Sequence, residues 1–352
     1  MRDGRVTGVL RQGKNRRGRV PADRDRSTPA ARVWDAQDMF DSGRAVPHFK
    51  ARLLATAGML CLFVSGALPA VSEAARRVVL VSIDGLRPDV ALRADMPALR
   101  SLMARGSFTM FAATTDVAVT LPSHVSMLTG VPPSRHGILF NHDPGPGDRA
   151  EPAWPTLFEI AHRAGLATAM SAGKGKFSLF ASPGTLDMAF LPPRGGTASD
   201  SAVAETAAAW IVARPPRVLF VHLTGPDLAG HASGWGSPAQ LEAAATADRA
   251  LGRILRALES SDRSDSALVI VSADHGGAGS THGGLDPRSH FVPWIAAGPG
   301  VRGDYDLTRV PDLRVRLEDT FATACAWLGL ALEKPVDGRA VTEIFAAPPR
   351  AR

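Results

Sequence analysis

Three apolar runs constrain this chain more than any other feature. Arg77-Val-Val-Leu-Val-Ser-Ile83, Val218-Leu-Phe-Val-His-Leu223 and Ala267-Leu-Val-Ile-Val-Ser272 are rich in β-branched residues and almost uninterrupted. A strand with one wet face alternates polar and apolar residues. A continuous run belongs to a strand covered on both faces, the usual state of a parallel sheet. Helical spacing runs between them, over residues 96–105, 155–164, 199–214, 238–260 and 315–330. Shorter strands are expected over 167–171 and 292–296. Strands alternating with helices predict an α/β fold, with a mostly parallel central sheet and helices on both faces. No repeat or linker divides residues 76–352, which read as one domain.

In such a sheet, chemistry collects outside the carboxyl ends of the strands. Each of the three runs delivers a carboxylate there: Asp84 in Ile83-Asp-Gly85, Asp227 in Thr224-Gly-Pro-Asp227, and Asp274 in Ser272-Ala-Asp-His-Gly-Gly277. A single such Asp is ordinarily a cap or turn residue. Three of them, one followed directly by His275, point instead to a site. His231 stands four residues after Asp227, so the pair shares one helical face or one tight loop. His282 follows a glycine-rich turn in Ser280-Thr-His-Gly-Gly284. An Asp/His set without thiolates suits zinc, with manganese as the alternative. These six ligands exceed what one tetrahedral ion takes and suit two ions with three protein ligands each.

A two-metal site needs a nucleophile, and Thr120-Leu-Pro-Ser-His124 is its best source. Pro122 suits the first turn of a helix ending at Thr129, which puts Thr120 at or just before its N-terminus. Free amides and the positive end of the helix dipole favour an anion there.

The formal charge of +6 and the pI near 10 invite a nucleic-acid partner, so the location of the charge matters. Residues 1–52 carry 13 of the 40 basic and 6 of the 34 acidic groups, and the rest of the chain is close to neutral. That leader lacks apolar periodicity and reads as disordered, so no nucleic-acid partner is expected. An uncharged run follows over residues 53–72, flanked by Lys50 and Arg52 and leading into small residues. It reads as a secretory signal peptide ending near Ala75, the alternative being a single membrane anchor. A start of translation near Met39 would account for the long leader. Export predicts a periplasmic or secreted protein, touching a membrane only through an uncleaved signal segment. Past Ala75 the one cysteine is Cys325, so no disulfide can form within that part of the chain.

Taken together, these pieces resemble the alkaline phosphatase superfamily, and within it the type I phosphodiesterase/nucleotide pyrophosphatase family. The resemblance runs from Val78 to Ile344 and rests on Val79-Leu-Val-Ser-Ile-Asp-Gly-Leu-Arg-Pro-Asp89, on Thr120-Leu-Pro-Ser-His124 with Leu128-Thr-Gly130 and His136-Gly-Ile138, on Pro226-Asp227 with Gly230-His231, on Ala273-Asp-His-Gly276, on Thr281-His-Gly283, and on Leu328-Gly-Leu330 with Asp337-Gly338. It implies a two-zinc phosphoester hydrolase acting on a small-molecule substrate through a covalent phosphothreonine. Asp84, Asp274 and His275 would hold one zinc, with Thr120 as oxygen ligand and nucleophile; Asp227, His231 and His282 would hold the other. Asn141 would donate to a phosphoryl oxygen. Lys174-Gly-Lys176 resembles a cationic pair of threonine-dependent phosphomonoesterases, which makes Lys174 a candidate catalytic cation and a monoesterase the alternative activity. A non-catalytic metal- or phosphate-binding protein on this fold is the alternative of another class. Leu121 and Ser123 stand where nucleotide pyrophosphatases commonly carry Phe and Asn. Only six residues separate His275 from His282, where several relatives carry a long insertion. Thr120 and His124 depart from the Cys or Ser and the Arg of formylglycine sulfatases. His124, His136 and His290 read as supporting residues, and His222, inside a strand, as a core histidine.

Overall fold

A computed structural model describes Ser72, residues 75–145 and residues 151–346. The basic leader and nearly all of the apolar run at 53–72 lie outside these residues. Among the described residues no helix is long and apolar enough to cross a membrane. The strands are β1 Arg77–Ile83, β2 Ser107–Ala113, β3 Thr168–Ala172, β4 Met188–Phe190, β5 Val218–Leu223, β6 Ala267–Ser272, β7 Phe291–Ala297 and β8 Tyr305–Asp306. The helices are α1 Pro88–Arg93, α2 Pro97–Arg105, α3 Thr120–Thr129, α4 Pro133–His136, α5 Leu157–Arg163, α6 Asp200–Ala213, α7 Gly225–Ser233, α8 Pro238–Ser260, α9 Pro287–His290 and α10 Asp319–Leu328.

The strands form one sheet in the order β4-β3-β5-β1-β6-β7-β2-β8. All pairings are parallel except those of β7, which runs against both β6 and β2. The three apolar runs are the adjacent central strands β5, β1 and β6, in register through Ile83 beside Leu223 and Ser82 beside Ser272. Every residue of β5 and β6 is buried, as cover on both faces requires. Helices α6 and α8 pack on each other with α1, α2 and α7, whereas α3 packs with α4, α5 and α10.

Two helices begin two or more residues later than their periodicity predicts, each for a local reason. Pro155 lies outside α5 because Thr156 caps it: the Thr156 hydroxyl accepts from Glu159 N, and Glu159 returns a bond to Thr156 N. Residues 315–317 are not helical because they run along the end of β2, with Ala113 N donating to Val315 O and Leu317 N to Ala113 O. Helix α10 then starts at Asp319 and ends on Gly329 in the left-handed conformation.

Candidate metal centre

The parallel register brings β3, β5, β1 and β6 to a common carboxyl edge, and each contributes a charged residue within a few positions of its end. Asp84 follows β1 and its N–H donates to Leu223 O (2.8 Å), which ties the ends of β1 and β5 together. Asp227 and His231 lie one turn apart on α7, so their spacing is that of a helical face. Asp274 and His275 follow β6, and Lys174 follows β3. Gly85 lets the loop after β1 pass close to α7. Its φ is +70°, and a Cβ there would lie 2.9 Å from Asp227 Cα.

Asp84, Asp227 and Asp274 are all buried, and each has one oxygen held and one without a hydrogen-bond partner among the described residues. Asp274 Oδ1 accepts from Gly85 N (3.1 Å), leaving Oδ2. Asp84 Oδ2 accepts from His222 Nε2 (2.8 Å) and Lys174 Nζ (2.7 Å), leaving Oδ1. Asp227 Oδ2 accepts from Lys174 Nζ (2.6 Å), leaving Oδ1. Native proteins seldom bury a carboxylate oxygen without a partner.

The histidines are poised in a matching way. His275 Nδ1 meets Gly276 O (2.9 Å), His282 Nδ1 meets Ala118 O (3.1 Å), and His231 Nδ1 meets Ser280 O (3.0 Å). A carbonyl can only accept, so each Nδ1 carries the hydrogen and each Nε2 presents a lone pair. This is the orientation that outer partners impose on metal-ligating histidines.

The free atoms fall into two groups. His275 Nε2 lies 3.2 Å from Asp274 Oδ2 and 3.5 Å from Asp84 Oδ1. Asp227 Oδ1 lies 3.4 Å from His231 Nε2 and 3.9 Å from His282 Nε2. Ligand atoms about 2 Å from a tetrahedral ion stand roughly 3.3 Å apart. Asp84, Asp274 and His275 make one group of that size and Asp227, His275 and His282 another, while exposed His231 reaches Asp227 but closes neither group. The two groups adjoin, since the His275 and His282 rings stack at 3.7 Å.

The electrostatics of the metal-free cluster also fit a cation. Burial opposes ionisation of Asp84, but the Lys174 ammonium and the His222 bond outweigh it and hold its carboxyl well below the usual range. Burial, and after it the charge of Asp84, push Asp274 well above that range. Burial depresses His275 to about 4 and lowers His282, so both are neutral near pH 7, the form a metal would need. Three buried carboxyl groups thus share one buried ammonium, Lys174, and the crowding shows in the raised pKa of Asp274.

Thr120 is the first residue of α3, buried, with Oγ1 3.3 Å from His275 Nε2. Behind it His124 spans the site: Nδ1 donates to Thr120 O (2.7 Å) and Nε2 accepts from Ser82 Oγ (2.8 Å). Asn141 Oδ1 accepts from Leu121 N (2.9 Å) and Lys176 Nζ (3.2 Å). Both partners are donors, which orients the amide and leaves Nδ2 as a donor beside the start of α3. The amide of Leu121 is thus taken up by Asn141. Lys174 lies on Asp84 and Asp227, and Lys176 is the cation on Asn141.

Three supporting residues go beyond the sequence reading. His222 is a core histidine, as expected, yet it bonds the Asp84 carboxylate; it is the one polar residue inside its run and stands in register with Ser82, two positions before Asp84. Trp235 donates from Nε1 to Gly85 O (3.0 Å) and packs edge-on against His231. Asp200, at the start of α6, accepts from Thr224 N (2.7 Å) and Gly225 N (3.2 Å) and so fixes the start of α7, the helix that carries Asp227.

Burial pushes Asp200 up to about 6 from 3.8. The fold prefers its protonated form, so the contribution of Asp200 is most favourable below pH 4 and is lost as pH rises through 6. That change is worth about 3 kcal/mol. Urea denaturation of metal-free protein should show wild type losing more stability than Asp200→Asn between pH 4 and 7. Parallel curves would exclude this role.

A family model described as type I phosphodiesterase/nucleotide pyrophosphatase matches residues 78–286. The chain is 24% identical over 243 residues to bis(5′-adenosyl)-triphosphatase enpp4 of Xenopus laevis, covering 64% of this chain and 52% of that one. It spans about half the length of the curated relatives it matches. Among solved structures it resembles murine ectonucleotide pyrophosphatase/phosphodiesterase 5, an inactive form in complex with AMP, with a TM-score of 0.66 at 16% identity, covering 77% of this chain and 100% of that one. Phosphonate monoester hydrolase from Silicibacter pomeroyi gives a TM-score of 0.57 at 17% identity, covering 79% and 78%. The structural likenesses show an alkaline-phosphatase-like fold, and the family match spans more than half of the sequence, including all six ligand candidates and Thr120. The chain belongs to the type I phosphodiesterase/nucleotide pyrophosphatase family.

Proposed function

We propose that this protein is a metal-dependent phosphoric ester hydrolase of the phosphodiesterase/nucleotide pyrophosphatase type, acting on small-molecule phosphoesters with Thr120 as nucleophile. The observation that carries this reading is the convergence of three buried, half-satisfied carboxylates with the oriented lone pairs of His275 and His282, His275 lying beside the first residue of α3. Asp84, Asp274 and His275 would hold one ion and Asp227, His231 and His282 the other, zinc first and manganese second. Ions held there supply positive charge that stabilises an alkoxide and a transferring phosphoryl group.

The chain's own residues do the rest. The start of α3 aims Thr120 Oγ into the cluster, and the His124 bond to Thr120 O fixes its backbone. Thr120 Oγ attacks phosphorus in line, the ester oxygen leaves on the opposite side, and a phosphothreonine forms. A diester keeps its second ester bond, so this intermediate still carries the other ester group. Water attacks its phosphorus in line and gives up a proton, Thr120 Oγ leaves and is reprotonated, and a phosphomonoester is released. Asn141 Nδ2 holds a non-bridging oxygen through both displacements. The relatives' description as ectonucleotide enzymes, with the apolar run at 53–72, supports an exported protein, periplasmic or secreted.

The second reading is a phosphomonoesterase on the same core. Its support is Lys176, whose Nζ lies 2.7 Å from Asn141 O and places a cation beside the phosphoryl donor. A screen of bis-p-nitrophenyl phosphate, p-nitrophenyl phosphate, a phosphonate ester and a sulfate ester, after zinc addition, separates the two. Faster diester turnover is the expected result, and a monoester preference that collapses in Lys176→Ala favours the second reading. No turnover of any ester by zinc-loaded protein would leave a binding protein instead.

A further inference from the structure

Lys174 is the buried cation of the centre, and its contacts distribute in a particular way. Its Nζ bonds Asp84 Oδ2 at 2.7 Å and Asp227 Oδ2 at 2.6 Å. Those two carboxylates belong to different metal groups. In both, the oxygen facing the group is Oδ1, and Lys174 takes the other one. A lysine standing in for a missing ion would take the unpartnered oxygens; this one takes the other oxygen of each carboxylate. Its backbone is pinned as well, because Gly173 N donates to His222 O (3.1 Å) and Lys174 pairs with Thr197 in an isolated bridge.

We infer that Lys174 is a positioning residue that ties the carboxylates of the two half-sites together and sets their separation, and that it keeps this place when metal and substrate bind. The inference rests on the two-metal reading above. It differs from a role on the phosphoryl oxygens, since a buried ammonium committed to two carboxylates is not available to substrate. It also differs from a counter-ion that metal would displace, since the ion and the ammonium use different oxygens.

Amine labelling of wild type, read by mass spectrometry against exposed Lys334, tests where Lys174 stays. Lys174 should react at least tenfold more slowly than Lys334 in metal-free protein, with zinc, and with zinc plus inorganic phosphate. Exposure of Lys174 on adding zinc would overturn the inference in favour of a displaced counter-ion. A change only on adding phosphate would overturn it in favour of a substrate contact. Release of zinc to a chelator then tests the tie itself: at least tenfold faster in Lys174→Met, with partial recovery in Lys174→Arg. Equal release rates, with weaker phosphate inhibition, would also overturn it. The labelling needs no variant, so misfolding of Lys174→Met leaves the inference testable. Failure of wild type to bind zinc at all would reject the two-metal reading itself.

Discussion

Thr120→Ala is expected to hydrolyse bis-p-nitrophenyl phosphate at least about a thousandfold more slowly than wild type while retaining its metal. The substitution removes one oxygen from a site in which the six carboxylate and imidazole candidates remain. Alanine is a good helix former, and the bond that anchors this position runs from His124 to the Thr120 carbonyl, which alanine keeps. Stability should therefore change little. The loss should appear in kcat, because the hydroxyl forms the bond to phosphorus and does not merely bind the ester. Steady-state kinetics with metal analysis of the same samples check this. Equal turnover by the two proteins would remove Thr120 from the mechanism.

Asp84→Ala should leave one of the two zinc ions bound at least about a hundredfold more weakly. The replacement removes a directly facing oxygen, whereas outer partners of metal ligands already account for 10–100-fold. It also strips His222 Nε2 of its acceptor and Lys174 of one of its two carboxylates. Zinc per chain, measured after dialysis against a weak chelator, should fall from two to one. Turnover should fall with it, since in the two-metal reading both half-sites would face one phosphoryl group. A variant that keeps two ions would show that Asp84 is not a ligand. Asp227→Ala should give the same stoichiometry through the other group, and the double variant should bind none.

The central sheet is legible in the sequence because its signal is local and redundant. Continuous β-branched runs mark β1, β5 and β6, and a carboxylate at or soon after each end marks the edge that matters. The antiparallel course of β7 and the existence of β2 are not legible. Their residues alternate weakly, and pairing with neighbours distant in sequence decides their register, with a shift between Thr109 and Ala112. In the site, residue type identifies the ligand candidates, and cross-strand geometry identifies their supports. Lys174, 90 residues from Asp84, carries no local mark that it bonds this carboxylate. His222 carries only a faint one, a polar side chain in an apolar strand. Trp235 is invisible, because a buried indole behind Gly85 reads like any core aromatic.

The ligand candidates are spread from Asp84 to His282, yet the strands that bring them together lie side by side. No short fragment of this chain contains either half-site. A zinc finger can recruit its ion early and fold around it. Here β1 must first pair with strands more than a hundred residues away, which is slow because loop closure precedes the reward. In the two-metal reading the half-site of Asp84, Asp274 and His275 can close only after β1 has paired with β6, so an ion held there with native affinity would report that these central strands are assembled.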